Sequence, residues 1–497
     1  MTEPVLPDRI EGQTLVRGIA WIGIFRWSSQ ALTWAVTLIV LRILSPRDYG
    51  IVGMTTFFLA LAGVLSEFGI GGAIVALRDL TAAAERQLHA VAIAAGVFAA
   101  GLSALAGWPL SRLFHEPALL GVLPVLGVAF VFDGLRVVPV ALLSRELQYR
   151  KASSVDLVRA LASALVVLVM ALEGTGYWAL VGGAIAGSAA ASVWALRLRW
   201  LTWARPHAAD LAAPIRYCRH LIVSRLAFAG YQNADFVVAG RLFGSVVLGQ
   251  YNLAWTIASL PGEKLTNIVT AASTPFFSAL QHDREQLASY FVRLAAVLSL
   301  LLWPALFGFM AVADLVIPLV LGPQWTPAVP LARALVFYAA VQAVSALNAP
   351  ILFLTGHSRT GMQVSILALL LLPPAFYLGG RLAGVQGVAW AWAFGIPVVV
   401  VWPLATVLRT LGLSLRTYLA GLRRSALLVA AMVAVVLLIR ELASGQVGRP
   451  TELVLSIAAG ALVYGLLCRR FARADILQVF RSWQGRARSM SGEGKRA

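Results

Sequence analysis

The feature that most limits how this chain folds is a long series of apolar stretches, each about as long as a bilayer is thick. A helix needs ~20 predominantly apolar residues to cross the hydrocarbon core. Only 12% of the residues are charged and 60% are hydrophobic, whereas soluble domains have ~25% and ~45–50%. The sequence therefore predicts an all-α integral membrane protein. Its fourteen predicted spans are 18–41, 51–75, 88–108, 119–143, 156–172, 176–196, 218–240, 247–272, 287–313, 328–354, 362–380, 384–408, 420–439 and 453–468.

The charge of the chain is strongly basic, with 40 Lys and Arg against 22 Asp and Glu, or +18 in total. Such a balance indicates either a nucleic-acid partner or a membrane topology signal. Twenty-seven of the cations fall in the two tails, the even-numbered connections and the span ends beside them, seven in the odd-numbered connections, and the other six within spans. Cytoplasmic loops are the ones enriched in Lys and Arg. We therefore expect both termini in the cytoplasm, an even number of spans (fourteen fits better than twelve), and no nucleic-acid partner.

A weak internal duplication divides the chain into two halves. An offset of 199 residues aligns Arg26 with Arg225 and Arg42 with Arg241, and an offset of 211 aligns 139–144 with 350–355. Spans one and seven then run in the same direction, which is typical of a parallel repeat. The predicted parts are an N-terminal lobe (1–209), a C-terminal lobe (210–412), two further helices (413–468) and a basic cytoplasmic tail (469–497).

Two repeat-related spans carry polar stripes that begin with an arginine in the cytoplasmic half. In span one these residues are Arg26, Gln30, Thr33 and Thr37, and in span seven they are Arg225, Gln232 and Asp235. The spacings place each set on one helix face. The stripes predict a water-filled cavity with a basic cytoplasmic mouth. The alternative is that both arginines extend to nearby headgroups, which we disfavour because the stripes continue past that reach.

Two carboxylate–arginine pairs recur at i, i+3 spacing. Asp133 and Arg136 lie inside span four, and we expect them to pair as a structural salt bridge before any cavity or coupling role. Asp156 and Arg159 repeat the spacing at the start of span five, where an interfacial position is the simpler interpretation. Charges at bilayer depth cost at least ~2.5 kcal/mol and usually face a partner or a cavity.

Two further acids lie within spans and have no obvious local partner. Glu67, which we place near the outer half of span two, has no nearby cation and is either a cavity acid or interfacial. Glu263 heads a polar stripe in span eight, for which hydrogen bonding between helices is an equal alternative. Both remain candidates for a cavity charge or for a residue that couples transport to an ion.

The sequence also lacks the motifs of covalent chemistry. There is no G-x-x-x-x-G-K-[ST] phosphate loop, no H-E-x-x-H and no G-x-S-x-G. The two cysteines, Cys218 and Cys468, make no disulfide framework and lack metal-ligand spacing with the histidines. We therefore expect a transporter rather than an enzyme, with no cofactor and no metal. Energy would come from a proton or sodium gradient or from the substrate gradient.

Several stretches resemble the Wzx-type polysaccharide flippases, specifically the WzxC-like exporters of the multidrug/oligosaccharidyl-lipid/polysaccharide (MOP) superfamily. The resemblance runs from about residue 15 to residue 365. The stretches that carry it are Arg42–Met54 (RILSPRDYGIVGM), Leu65–Ala73 (LSEFGIGGA), Leu143–Arg150 (LSRELQYR), Gly249–Ala254 (GQYNLA) with Leu260 and Pro261, and Leu321–Trp325 (LGPQW).

The resemblance implies a fold and a substrate. The fold would be MATE-like, with two six-helix lobes around a central cavity, two added helices and alternating access. The substrate would be an undecaprenyl-diphosphate-linked oligosaccharide, moved from the inner to the outer leaflet of the bacterial cytoplasmic membrane for lipopolysaccharide or exopolysaccharide synthesis. Arg26 and Arg225 would bind the diphosphate and first sugars, and spans thirteen and fourteen would help form a groove for the polyprenyl tail. A polysaccharide polymerase and a chain-length regulator would be partners.

Three other functions stay open. A drug or metabolite antiporter of the same superfamily would need an acidic cavity for cationic drugs, against which Arg26 and Arg225 argue. A peptidoglycan-precursor flippase would use the same chemistry. A membrane polymerase or ligase usually has acidic residues on sizeable external loops, and these loops are short here.

Overall fold

The computed structural model describes residues 33–67, 69–77, 80–280 and 283–471, and within these ranges the chain contains helices and no strand. Ten of the described helices are long and apolar enough to cross a membrane. The helices are α1 (Thr33–Ile43), α2 (Pro46–Glu67), α3 (Ile70–Ala76), α4 (Ala82–Phe114), α5 (Leu119–Arg145), α6 (Tyr149–Leu172), α7 (Trp178–Leu198), α8 (Ala208–Ala279), α9 (Arg284–Val316), α10 (Ala328–Ser345), α11 (Asn348–Leu354), α12 (Ser358–Leu411), α13 (Leu415–Ala443) and α14 (Arg449–Phe471).

Two of these helices are bent and each contains two of the predicted spans. The backbone of α8 leaves the helical region at Gly244, with φ 78°, and that of α12 does so at Ala383 and Gly384, where Gly384 has φ 64°. Glycine adopts this left-handed region without steric cost. Where the structure describes them, the predicted spans lie on helical backbone apart from turns at Gly69, at Gly176 and Tyr177, and at Ala346 and Leu347. The all-α membrane fold is confirmed. Span one is described only from Thr33, and the basic tail only to Phe471.

The two shortest predicted spans are longer in the structure than in the sequence pattern. Segment 156–172 lies in the 24 residues of α6, and segment 453–468 in the 23 residues of α14. Both helices continue into polar and charged residues, such as Arg150 and Lys151 at the start of α6. A prediction based on apolar stretches misses these helix ends, because a helix end does not have to be apolar where no hydrocarbon surrounds it.

The chain folds into two compact units, Met1–Asn233 and Ala234–Ala497. This division falls inside α8, so the predicted lobe boundary at residue 209 stays a prediction. In the first unit α5 is central, and it packs against α2, α3, α4, α6 and α7. Helix α5 approaches α4 closely at Gly134. A Cβ atom added to this glycine would lie only 2.6 Å from the carbonyl oxygen of Ala92 on α4. Small residues allow this approach between membrane helices.

In the second unit α9 is central and packs against α10, α12, α13 and α14. The two helices that the sequence places after the repeat therefore pack onto this unit through α9. The two arms of α12 meet at Gly379 and Gly387, where a Cβ on either glycine would clash with the backbone of the other. This close approach is what allows the chain to reverse within the few residues around Gly384.

Two ion pairs join connections that the predicted topology places on one side of the membrane. Arg47 in the first turn of α2 contacts Glu116 before α5, with 3.2 Å between Nη2 and Oε1. Arg199 after α7 contacts Glu146 after α5, with 3.0 Å between Nη2 and Oε1. The first pair joins two odd-numbered connections and the second joins two even-numbered ones, as an unbroken alternation of spans requires.

Candidate functional site

Arg225 in the first arm of α8 contacts Glu67, the last residue of α2. Nη1 of Arg225 lies 3.3 Å from Oε2 of Glu67, and the two side chains are 48% and 54% exposed. The expectation that Glu67 has no cation nearby is therefore wrong, because helix packing brings together residues far apart in sequence. Its placement in the outer half of span two is also wrong on the predicted topology, since its partner lies in the cytoplasmic half of span seven.

Span two is interrupted at Gly69, between α2 and α3. Gly69 has φ 68°, in the left-handed region, and α3 begins at Ile70. Span two is thus a discontinuous helix. Interrupted helices in transporters commonly mark the region where substrate or a coupling ion binds.

Three of the predicted site residues have side chains outside the described part of the structure. Arg26 and Gln30 lie outside the described residues, as does the side chain of Glu263. Gln232, two turns after Arg225 on α8, is half-buried. Substrate binding by Arg26, Gln30 and Gln232 stays a prediction, as does a cavity or coupling role for Glu263.

Asp235 lies in a different environment from Arg225. It is completely buried, and Oδ2 accepts hydrogen bonds from the Tyr251 hydroxyl at 2.6 Å and from Nε1 of Trp392 at 2.8 Å. Trp255 packs against Trp392 in the same aromatic cluster, with ring centroids 5.2 Å apart. A substrate in a water-filled cavity does not reach this carboxylate in the described conformation. Ten residues at about 100° each rotate Asp235 roughly 80° away from Arg225 around the helix axis. The assignment of Asp235 to a substrate cavity stays a prediction.

The predicted pair of Asp133 and Arg136 is confirmed, and it has a third member. Nε of Arg136 lies 2.6 Å from Oδ1 of Asp133. Nη1 of Arg159, on α6, lies 3.5 Å from the same oxygen, and its Nη2 donates to Oγ of Ser188 on α7 at 3.2 Å. Arg159 thus contacts a carboxylate on a neighbouring helix. Two guanidiniums share one carboxylate near the middle of α5, and any cavity or coupling role for them stays a prediction.

A second network joins four helices of the Ala234–Ala497 unit. Arg440 on α13 binds Asp314 on α9 through two contacts, Nη2–Oδ2 at 2.6 Å and Nη1–Oδ1 at 3.1 Å. Nε of Arg440 also contacts Glu452 on α14 at 3.2 Å, and Arg333 on α10 contacts Asp314 at 2.6 Å. The sequence gives no sign of this network, because its members come from four separate stretches of the chain.

An apolar groove of about 390 Å³ lies between α9, α13 and α14. Two of its polar side chains are already bonded within the protein: Ser456 donates to the carbonyl of Glu452 at 2.7 Å, and Tyr464 donates to that of Leu300 at 2.5 Å. The wall is therefore suited to a hydrocarbon chain. Representative lining residues are Pro304, Gly308, Val312, Met432, Gly460 and Ala461. Among the described residues, no three His, Cys, Asp or Glu side chains are placed to hold a metal ion.

Comparison with known proteins gives one family and one fold. A family described as polysaccharide biosynthesis protein matches residues 39–330, more than half of the chain. The lipopolysaccharide biosynthesis protein WzxC of Escherichia coli (strain K12) is 26% identical over 385 residues, which cover 73% of this chain and 76% of that protein.

Solved structures share the fold at low sequence identity. The lipid II flippase MurJ in an inward closed conformation aligns with a TM-score of 0.71 and 14% identity, over 92% of this chain and 99% of MurJ. An inward-facing multidrug resistance MATE family transporter of the MOP superfamily aligns with a TM-score of 0.62 and 14% identity, over 77% of this chain and 94% of that one. The predicted MATE-like fold and the resemblance to Wzx-type exporters are confirmed. This multi-pass membrane protein belongs to the polysaccharide biosynthesis protein family.

Proposed function

We propose that this protein is a flippase for an undecaprenyl-diphosphate-linked oligosaccharide. It moves the lipid-linked glycan from the inner to the outer leaflet of the bacterial cytoplasmic membrane, by alternating access, during synthesis of a surface polysaccharide. The observation that carries the proposal is the apolar groove between α9, α13 and α14. A transporter of water-soluble drugs does not need such a groove, whereas a lipid-linked substrate must keep its hydrocarbon tail out of water.

The tail and the head of the substrate require different surfaces. Each CH₂ removed from water contributes about 0.8 kcal/mol, so an apolar channel along α14 lowers the cost of moving the tail with the head. The diphosphate needs donors that stay charged at bilayer depth. Arg225 is such a donor, since a guanidinium is always protonated and binds phosphate oxygens through two parallel N–H groups.

The proposed flippase carries out no covalent step. A proton or sodium gradient supplies the energy in this proposal, and a polymerase with its chain-length regulator takes up the glycan on the outer side. The relative's name supports the pathway, since WzxC is a lipopolysaccharide biosynthesis protein.

The test is complementation of a deletion strain with R225A and with A461F. Ala461 is exposed and lines the groove, so a phenylalanine there obstructs the tail without entering a packed helix contact. Both variants are expected in the membrane at normal levels with surface polysaccharide reduced at least tenfold. A458F is the matched control because Ala458 is an exposed residue of α14 that is not part of the groove wall.

Two results count against the proposal. Normal surface polysaccharide in both R225A and A461F means that neither head nor tail is held where we place it. Lipid-linked units that accumulate on the outer face of the deletion strain point instead to a polymerase or ligase. A flippase defect leaves them on the cytoplasmic face.

One observation favours a second function, the transport of a peptidoglycan precursor. The structural match to a lipid II flippase has the TM-score of 0.71 given above, but its identity of 14% shows the fold alone. Expression of this protein in cells depleted of their own lipid II flippase separates the two substrates. Restored growth supports the precursor, and failure to grow together with restored surface polysaccharide in the deletion strain supports the oligosaccharide.

A further inference from the structure

We propose that Glu67 is the resident counter-ion of Arg225 and that the anionic head of the substrate binds by displacing it. The inference rests on the proposed function and adds one property to it. The protein contains its own competitor for the substrate's diphosphate, so Glu67 limits how tightly an anionic lipid is held and favours its release.

The geometry of this ion pair is that of an exchangeable contact. Arg225 and Glu67 meet through one pair of atoms at 3.3 Å, and each side chain is about half exposed. By contrast, Arg440 binds Asp314 through two contacts, at 2.6 and 3.1 Å, and the Arg440 side chain is 17% exposed. Exposed pairs with a single contact contribute little stability, whereas two parallel charged hydrogen bonds are strong.

The position of Glu67 also allows its carboxylate to move away. Glu67 is the last residue of α2, and the helix resumes only at Ile70, after Gly69 in a left-handed conformation. A side chain at a helix end, two residues from a left-handed glycine, is less restrained than one within a continuous helix. Residues at such ends are those that absorb backbone rotations during conformational change.

The two anions compete for the same guanidinium. A diphosphate presents several oxygens in the geometry that the planar fork of arginine matches through two hydrogen bonds. Glu67 uses one N–H of that fork and so is the weaker ligand, but it is always present. Substrate binding therefore includes the cost of breaking the pair, and re-formation of the pair lowers the barrier to release.

The experiment measures binding of undecaprenyl diphosphate to the purified full-length protein in detergent. We expect E67Q to bind the lipid about 2- to 5-fold more tightly than the unsubstituted protein, which corresponds to the coupling of an exposed ion pair. The affinity of E67D, which keeps the charge, should lie between those of the unsubstituted protein and E67Q. R225Q should lose most of the binding. In cells E67Q should export polysaccharide more slowly, because release is slower.

E146Q is the matched control for this comparison. It removes a glutamate from another partly exposed ion pair in the same unit of the chain, in which Nη2 of Arg199 lies 3.0 Å from Oε1 of Glu146 and the two side chains are 43% and 34% exposed. Its affinity for undecaprenyl diphosphate should be unchanged, so a gain seen in E67Q alone is specific to Arg225. Should E67Q not be recovered as folded protein, E67S replaces it with the same expected gain.

Failure of the inference differs from failure of the proposed function. If the unsubstituted protein binds undecaprenyl diphosphate and E67Q binds it equally or more weakly, Glu67 is not a competitor and the inference is overturned. If neither the unsubstituted protein nor E67Q binds the lipid, the proposed substrate is itself wrong.

Discussion

Asp133 is shared by two arginines that lie on different helices. Arg136 and Arg159 both contact its Oδ1, at 2.6 and 3.5 Å, near the middle of α5. The carboxylate and Arg136 are each 17% exposed, so the charges are largely removed from solvent. Removal of one partner from such a cluster leaves cationic groups without compensation.

We predict that D133N lowers the free energy of unfolding by about 3 kcal/mol, the lower range for loss of one member of a buried ion pair. Thermal unfolding of the purified protein in detergent measures the change. D156N is the control, because Asp156 is exposed and lies one turn from Arg159 on α6. Equal melting temperatures for D133N and the unsubstituted protein would show that the cluster contributes nothing to stability.

These contacts show which part of the candidate site the sequence could predict. Asp133 and Arg136 are three residues apart, and helix geometry alone brings them together. Glu67 and Arg225 are 158 residues apart, and no periodicity within one span indicates that pair. Asp235 shows a second limit. The polar residues on one helix do not reveal which residues of other helices bury one of them, as Tyr251 and Trp392 do for Asp235.

The helices α13 and α14 are held on their unit by charge as well as by apolar packing. Arg440 links them to α9, because its guanidinium contacts Asp314 on α9 and Glu452 on α14. Arg440 and Glu452 are 17% and 12% exposed, whereas Asp314 is 39% exposed. The network lies at the end of α13 toward Ala443 and fixes the helices that form the groove.

We predict that R440Q destabilises the protein by about 1–3 kcal/mol, a range reduced from that of a fully buried pair because Asp314 is partly exposed. Limited proteolysis should cut the connection between α13 and α14 faster in R440Q, and thermal unfolding should begin earlier. R449Q is the control, since Arg449 is an exposed arginine at the start of α14. Identical proteolysis of the two variants would contradict a role for the network.

The sequence predicted the existence of these helices better than their shape. Apolar length located each span because the hydrocarbon core sets that length, and local composition records it. The break between α2 and α3 was missed, because Gly69 is one of many glycines in apolar sequence and only its φ of 68° marks it. The bends at Gly244 and Gly384 were found as span boundaries, since each is followed by a second apolar stretch.

For the whole molecule, the distribution of cations gives an orientation that the helices alone do not. The ion pairs Arg47–Glu116 and Arg199–Glu146 agree with the alternation of spans but do not identify the cytoplasmic side. That assignment depends on the excess of Lys and Arg in the even-numbered connections and tails. The direction of the proposed transport depends on it in turn, because Arg225 serves as an entry residue only if its end of α8 faces the cytoplasm.

We predict that a cysteine at Ser444 reacts from outside the cell and one at His357 does not. Ser444 lies between α13 and α14 in an odd-numbered connection, His357 lies between α11 and α12 in an even-numbered one, and both are exposed. In a chain with Cys218 and Cys468 replaced by serine, a membrane-impermeant maleimide should label S444C in intact cells and H357C only after permeabilisation. The reverse pattern would invert the topology, place Glu67 and Arg225 toward the outer leaflet, and make them residues of release instead of entry.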